Sequence, residues 1–285
     1  MAKIGDLLAA GPTYSFEFPP PRTPELLREF EKTLRELEPV APSFCSVTYG
    51  AGGSSRDNTL EAVLHIQHDT PMLPMPHLTC VAQTRDDITA LVERYRDEGI
   101  ENLLALAGDP PVDNPDAPSD FRYATELIEL ARGIADFSIC VAAFPEVHPR
   151  SPDRAADRQR LAAKLELADF AITQFFWDAE DYFRMRDELD ALGATTPIVP
   201  SLFPIINVAT AKRFTTINGA AFPDWLADQL DSVADDPDEV RKIGIDVATM
   251  IGQRLLDEGV PGLHIYTLNR STSALAVWEN LGLSG

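Results

Sequence analysis

Short apolar runs return along this chain about every thirty residues, and each is followed by a stretch whose apolar positions fall at helical spacing. The runs cover residues 13–18, 44–48, 77–81, 103–107, 138–143, 170–174, 198–203 and 263–268. Turn residues bound them, as Gly11-Pro12 and Pro19-Pro20-Pro21 do around the first. Strands in series with helices imply a parallel sheet, because the helix returns the chain to the edge where the next strand begins. Eight such units are enough to close a barrel.

The helix signals between the runs are explicit. Thr23 caps a helix with Pro24 at its first position, and Leu26, Leu27, Phe30, Leu34 and Leu37 form one stripe. Thr84 with Asp87 starts another, Ile88, Leu91, Val92 and Tyr95 keep its spacing, and Gly99 stops it. Further helices are expected over residues 56–68, 123–134, 152–167, 179–192 and 271–281. The interval lengthens only before the last strand, where a helical insertion sets Val240, Ile243, Val247, Met250 and Ile251 on one face. The expected fold class is α/β, an eight-stranded (β/α) TIM barrel with extra helices before the last strand, and residues 1–285 form a single barrel domain. A doubly wound open sheet is the competing architecture. It would usually carry a Gly-x-Gly-x-x-Gly phosphate turn, and Gly50-Ala51-Gly52-Gly53 is too short a match.

Charge narrows the partners. Acidic residues outnumber basic ones 45 to 24, a formal charge of −21, which disfavours nucleic acid and anionic membranes. No run approaches transmembrane length and the first residues lack a signal-peptide core, so a cytoplasmic location is expected. Cys45, Cys80 and Cys140 all lie in apolar runs without a Cys-x-x-Cys pair and read as reduced core residues. His65 and His68 share a helix face but lack a third ligand, so no metal site is expected.

In a β/α barrel the chemistry collects at the carboxyl ends of the strands. Those ends carry Glu17, Thr48, Asp109, Glu146 with His148, Gln174, and Asn269 with Arg270, while His77 lies within the third strand. Glu17 alternates with Phe16 and Phe18, a setting that suits a general acid. Asp109 follows Gly108 at the mouth of an apolar strand, where a charge can meet solvent or a ligand. The amide of Gln174 ends an apolar strand and needs hydrogen-bond partners, which a heterocycle could supply. Phe175, Phe176 and Trp177 read as core packing.

Taken together and in order, Phe16-Glu17-Phe18, Ser46-Val47-Thr48-Tyr49-Gly50-Ala51, Pro76-His77-Leu78-Thr79-Cys80, Gly108-Asp109-Pro110-Pro111, Val141 to His148, Ala171 to Phe175 and His264 to Arg270 resemble the methylenetetrahydrofolate reductase family. The resemblance implies reduction of 5,10-methylenetetrahydrofolate to 5-methyltetrahydrofolate, with NADH or NADPH as hydride donor and ordinarily FAD between them. By position, Glu17 would be the acid that opens the substrate ring to an iminium, and Asp109 the anion beside the hydride donor. Gln174 would bind the pterin, Phe214 would stack on folate or nicotinamide, and Arg270 would face the folate tail. Thr48, His77, Gly108, Tyr123, Ala124, His148, Asp157 and Lys164 would contact the flavin.

Several residues depart from the family pattern at the flavin positions. Ala107 stands where an arginine is usual, and Phe144 replaces a tyrosine. The loop after Asp109 is lengthened and carries Asp113, Asp116 and Asp120, unfavourable to a diphosphate. The turn between Lys164 and Asp169 is one residue short and lacks its usual glycine. Two routes are therefore compatible with the chain, hydride passing through FAD or passing directly from NADH. A folate-binding protein without catalysis, or a barrel oxidoreductase with another substrate, is the alternative from a different class. Glu17 argues against the first of these, and Gln174, Phe214 and Arg270 against the second.

Overall fold

The computed structural model describes residues 2–49, 56–109, 114 and 117–284. Its first helix, α1 (Ile4–Ala10), precedes β1 (Thr13–Phe18) and is not expected from the spacing of the runs. Thr23 caps α2 (Pro24–Leu37) by accepting the Leu26 N–H, and a 3-10 turn leads to β2 (Phe44–Val47) and α3 (Arg56–Asp69). β3 (Pro74–Thr79) begins and ends earlier than expected, because Pro74 and Pro76 start the strand without needing ladder donors. Thr84 caps α4 (Arg85–Asp97), and the four apolar residues expected on its stripe are all buried. β4 (Asn102–Leu106), α5 (Ala124–Ile134), β5 (Ser138–Ala143), α6 (Arg154–Leu165), β6 (Phe170–Thr173) and α7 (Ala179–Asp190) continue the alternation.

The seventh strand corrects the expected count. Residues 198–203 form two short strands, β7 (Ile198–Val199) and β8 (Ser201–Leu202), so the sheet has nine segments rather than eight. Pro200 separates them, having no N–H to give to a ladder. β7 pairs with β6, while β8 pairs with the last strand, β9 (Gly262–Tyr266), so the chain closes the barrel by turning at the proline. The Pro200 carbonyl accepts the His264 N–H at 3.0 Å, which carries the ladder across the break. The other neighbours are parallel and consecutive, and β1 pairs with both β2 and β9. The insertion before β9 is helical, as expected: α8 (Val208–Asn218), α9 (Asp224–Asp231) and α10 (Pro237–Asp257), and α11 (Ser271–Asn280) ends the elements.

Two apolar clusters divide the interior. The larger one lies between strands and helices, where Phe16 meets Trp278 at 5.0 Å and Phe18 meets Phe30 at 5.7 Å. The smaller joins Ile4, Phe44, Met75, Leu104, Cys140, Phe170, Ile172 and Val199. Ile4 belongs to α1, and its N–H donates to the buried Asn102 side chain at 2.7 Å. α1 thus docks against this inner cluster from the end of the barrel where the strands begin. The opposite end is left for chemistry. The three cysteines are free and buried, and burial raises all three thiols above the usual range, Cys80 to about 11. Among the described residues no helix is long and apolar enough to cross a membrane.

Candidate active site

Side chains two apart on a strand share a face, and the ladder register brings the interior faces of three neighbouring strands together. Ser15 pairs with His264 and Glu17 with Tyr266, while Glu17 also pairs with Ser46. The His264 ring is fully buried, stacked on Phe44 at 5.8 Å, with Nδ1 at 2.7 Å from Ser15 Oγ and Nε2 at 3.2 Å from Ser46 Oγ. Above this floor the Glu17 carboxylate lies 3.5 Å from His264 Nε2 and 3.6 Å from His77 Nε2. No lysine or arginine pairs with Glu17 among the described residues. His77 is held neutral, because burial lowers its ring to about 4 against the opposing pull of Glu17. Its Nε2 is buried and has no hydrogen-bond partner. Glu17, from a strand end, thus meets His77, from within the third strand, and His264 and Tyr266, which the sequence offers only as part of a motif, join them. Only the β1–β9 register reveals these two, since they sit on a strand about 250 residues away.

Tyr266 links this group to the pterin candidate. Its hydroxyl donates to Gln174 Oε1 at 3.1 Å, and burial together with the nearby Glu17 charge holds it far above the usual tyrosine range. The same Oε1 accepts the Phe175 N–H at 2.9 Å. The Gln174 carbonyl is therefore satisfied within the protein and its amide N–H groups remain for a ligand. Phe203 meets Tyr266 edge-on at 5.7 Å and Phe214 edge-on at 5.8 Å, so an aromatic wall runs from the strand ends to α8. Phe175, Phe176 and Trp177 are buried and pack the core beneath it.

A second group surrounds Asp109. Gly108 has φ +85, and a Cβ there would lie 2.7 Å from Val81 and 2.8 Å from Thr79, so this turn tolerates only glycine. Asp109 follows it with an exposed side chain, and the Arg150 guanidinium lies 3.7 Å away while donating to the Gly108 carbonyl at 3.3 Å. The Arg150 backbone N–H donates to His148 Nδ1, and burial, then the charges of Arg150 and Lys164, lower the His148 ring. Arg270 stands apart from both groups. It stands at the N-terminal edge of α11 with no capping bond from its side chain, after a turn in which Leu268 and Asn269 both take left-handed backbone, held by the Asn269 amide on the Pro19 carbonyl. The residue lines a cavity of about 290 Å³ with Lys32 and Arg241.

The flavin positions are largely committed to the protein itself. Asp157 Oδ1 accepts the His148 N–H and the Ser151 hydroxyl, and its Oδ2 is held at 2.6 Å by the buried Arg158. Arg158 also donates to the carbonyls of Phe144, Pro145 and Glu146 and to Glu188. Lys164 donates to the Ala142 carbonyl, and burial lowers its ammonium to about 8. Tyr123 is exposed under the Arg122 guanidinium, Ala124 begins α5, and Thr48 gives its carbonyl to Thr59. Asp120 accepts the Arg85 backbone N–H at 2.8 Å. Asp113, Asp116 and Gly50 to Gly53 lie outside the described residues. Among the described residues these groups do not fit FAD well: the carboxylate and the ammonium expected to hold it are bonded within the chain. No cluster of metal-ligating side chains occurs among the described residues.

The chain matches the family described as "Methylenetetrahydrofolate reductase" over residues 3–282. It is 37% identical to a 5,10-methylenetetrahydrofolate reductase of Escherichia coli over 94% of this chain and 90% of that one. A Zea mays protein named "Methylenetetrahydrofolate reductase (NADH) 1" is 33% identical, over 95% of this chain and 48% of its own length. A solved structure from Clostridium thermocellum, titled as binding two copies of 5-methyl-5,6,7,8-tetrahydrofolic acid, superposes with a TM-score of 0.68 at 12% identity, covering 98% of this chain and 99% of its own. At that identity the likeness concerns the barrel fold alone. The match along nearly the full chain establishes that this chain belongs to the methylenetetrahydrofolate reductase family of folate-dependent oxidoreductases.

Proposed function

We propose that the chain reduces 5,10-methylenetetrahydrofolate to 5-methyltetrahydrofolate with a hydride taken directly from NADH. Glu17 gives a proton to N10 of the folate, the bond between N10 and the bridging carbon breaks, and N5 keeps that carbon as an iminium. The iminium carbon takes hydride from NADH, leaving a methyl group on N5 and NAD+. Asp109 supplies negative charge near the cation, the Gln174 amide N–H groups bind the pterin, and Phe214 stacks on the bound ligands. Arg270 faces the folate carboxylates. The observation that carries the acid role is Glu17 itself, enclosed in the barrel between two imidazoles and, among the described residues, paired with no fixed cation. Family membership supports the overall reaction.

The direct route is favoured because Asp157 and Lys164 are bonded within the protein, while the folate positions are retained. Few basic residues line the mouth to bind a 2′-phosphate, which favours NADH over NADPH, and the maize relative is named for NADH. The second reading is the same reduction through FAD, supported by the family alone. NADH deuterated at C4, on either face, separates the two. Direct transfer retains the label in the product methyl group for one of the two labelled donors, whereas passage through a flavin exchanges it with solvent. Absence of the label with both donors, or flavin absorbance in the purified protein at one equivalent, would refute the direct route.

A further inference from the structure

We infer that Arg150 is the residue that binds the diphosphate of the nicotinamide donor, in place of a cation beside the Gly108-Asp109 turn. The inference deepens the direct-hydride reading and rests on it. Arg150 lies on the loop between β5 and α6, two residues after His148, yet its guanidinium crosses to the β4 loop and bonds the Gly108 carbonyl. It therefore brings positive charge next to the position where Ala107 brings none. The head is about half exposed, at 53%, so it reaches solvent rather than the core.

The neighbouring cations are committed. Arg158 is buried on three carbonyls and two carboxylates, Lys164 is bonded to Ala142, and Arg122 lies over Tyr123. Arg150 has five N–H donors in a planar fork, and the Gly108 carbonyl uses one. Its carboxylate neighbour Asp109 stands at 3.7 Å, beyond hydrogen-bond distance, with both groups more than half exposed. Such a pair contributes little and yields readily to a doubly charged diphosphate. The Arg150 backbone N–H on His148 Nδ1 leaves the ring proton on Nε2, so a neutral donor stands beside the cation. In a chain of charge −21, a cation at the mouth with unused donors is scarce, and anion binding is the chemistry it offers.

The test is equilibrium binding of NADH, followed by quenching of protein fluorescence without folate, in the parent chain, Arg150→Ala and Arg150→Lys at low and high salt. Arg150→Ala is expected to weaken binding roughly tenfold to a hundredfold. Arg150→Lys keeps part of the affinity, and the salt dependence of the parent flattens in Arg150→Ala. Thermal melts establish that the variants are folded. Unchanged NADH affinity would overturn the inference. So would an equal loss of turnover with 1-benzyl-1,4-dihydronicotinamide, which carries no phosphate, or a rise in the folate KM with NADH binding intact. The titration involves no turnover, so its outcome is separate from the deuterium experiment that tests the hydride route.

Discussion

Replacing Gly108 with alanine is expected to damage both fold and site by amounts that follow from the turn. The backbone there has φ +85, and placing an L residue in that region costs about 1 kcal/mol. The new Cβ would meet Val81 Cγ1 at 2.7 Å and Thr79 Cβ at 2.8 Å. A valine methyl can turn aside, but the Thr79 Cβ is anchored to β3, so the strand ends must part, at about 1–3 kcal/mol. The sum is about 2–4 kcal/mol. Unfolding entropy near 2 cal/mol/K per residue makes this a fall in Tm of about 3–7 °C for 285 residues. Relief of the clash would displace Asp109 and the Gly108 carbonyl that holds Arg150, so kcat/KM should fall about tenfold or more. Gly133→Ala is the control, since nothing lies within 4 Å of its Cβ within α5, and it should stabilise by about 0.5–1 kcal/mol. Thermal melts and steady-state NADH oxidation measure both variants. A Gly108→Ala protein melting within about 1 °C of the parent at full activity would refute the reasoning.

Three further outcomes are expected. Glu17→Gln preserves shape but removes the proton, so kcat/KM should fall about 10²–10⁴-fold with the melting temperature little changed, and a loss below tenfold would remove Glu17 from the acid role. His77 binds a proton near 4 in the fold against 6.5 unfolded, so the unfolded chain protonates first as pH falls. The stability that a neutral His77 contributes is whole above pH 6.5 and declines towards pH 4 by at most about 3 kcal/mol; urea melts across that range should show a shallower decline in His77→Gln. Arg158→Met strands the Asp157 carboxylate and three carbonyls, and a loss of about 3–5 kcal/mol in urea denaturation is expected, with no loss telling against a structural role.

Much of the fold is legible in particular residues. Thr23 and Thr84 cap the helices they were expected to cap, because capping depends on neighbours within three residues. Gly108 is required by a turn whose sequence signature is local. The break at Pro200 was within reach of the same reading, since proline cannot donate to a ladder, but that its two sides pair with different strands depends on barrel closure. α1 escaped because it is short and is held by the side chain of Asn102, about 100 residues away. The site divides in the same way. Glu17, Asp109 and Gln174 lie at strand ends, where the pattern along the chain points to them, whereas His264, Tyr266 and Arg150 are placed by contacts with distant segments.

Periodicity, caps and motif order are properties of neighbours along the chain, so they already specify the alternation of strand and helix, the polar residues at the strand mouths and the family to which they belong. Tertiary structure alone decided which of those residues share a space. The parallel register set Glu17 between His77 and His264. Packing turned Asp157 towards Arg158, and a loop crossing brought Arg150 to the Gly108 turn. Those relations depend on distances between segments far apart in the chain, and only closure of the barrel sets them.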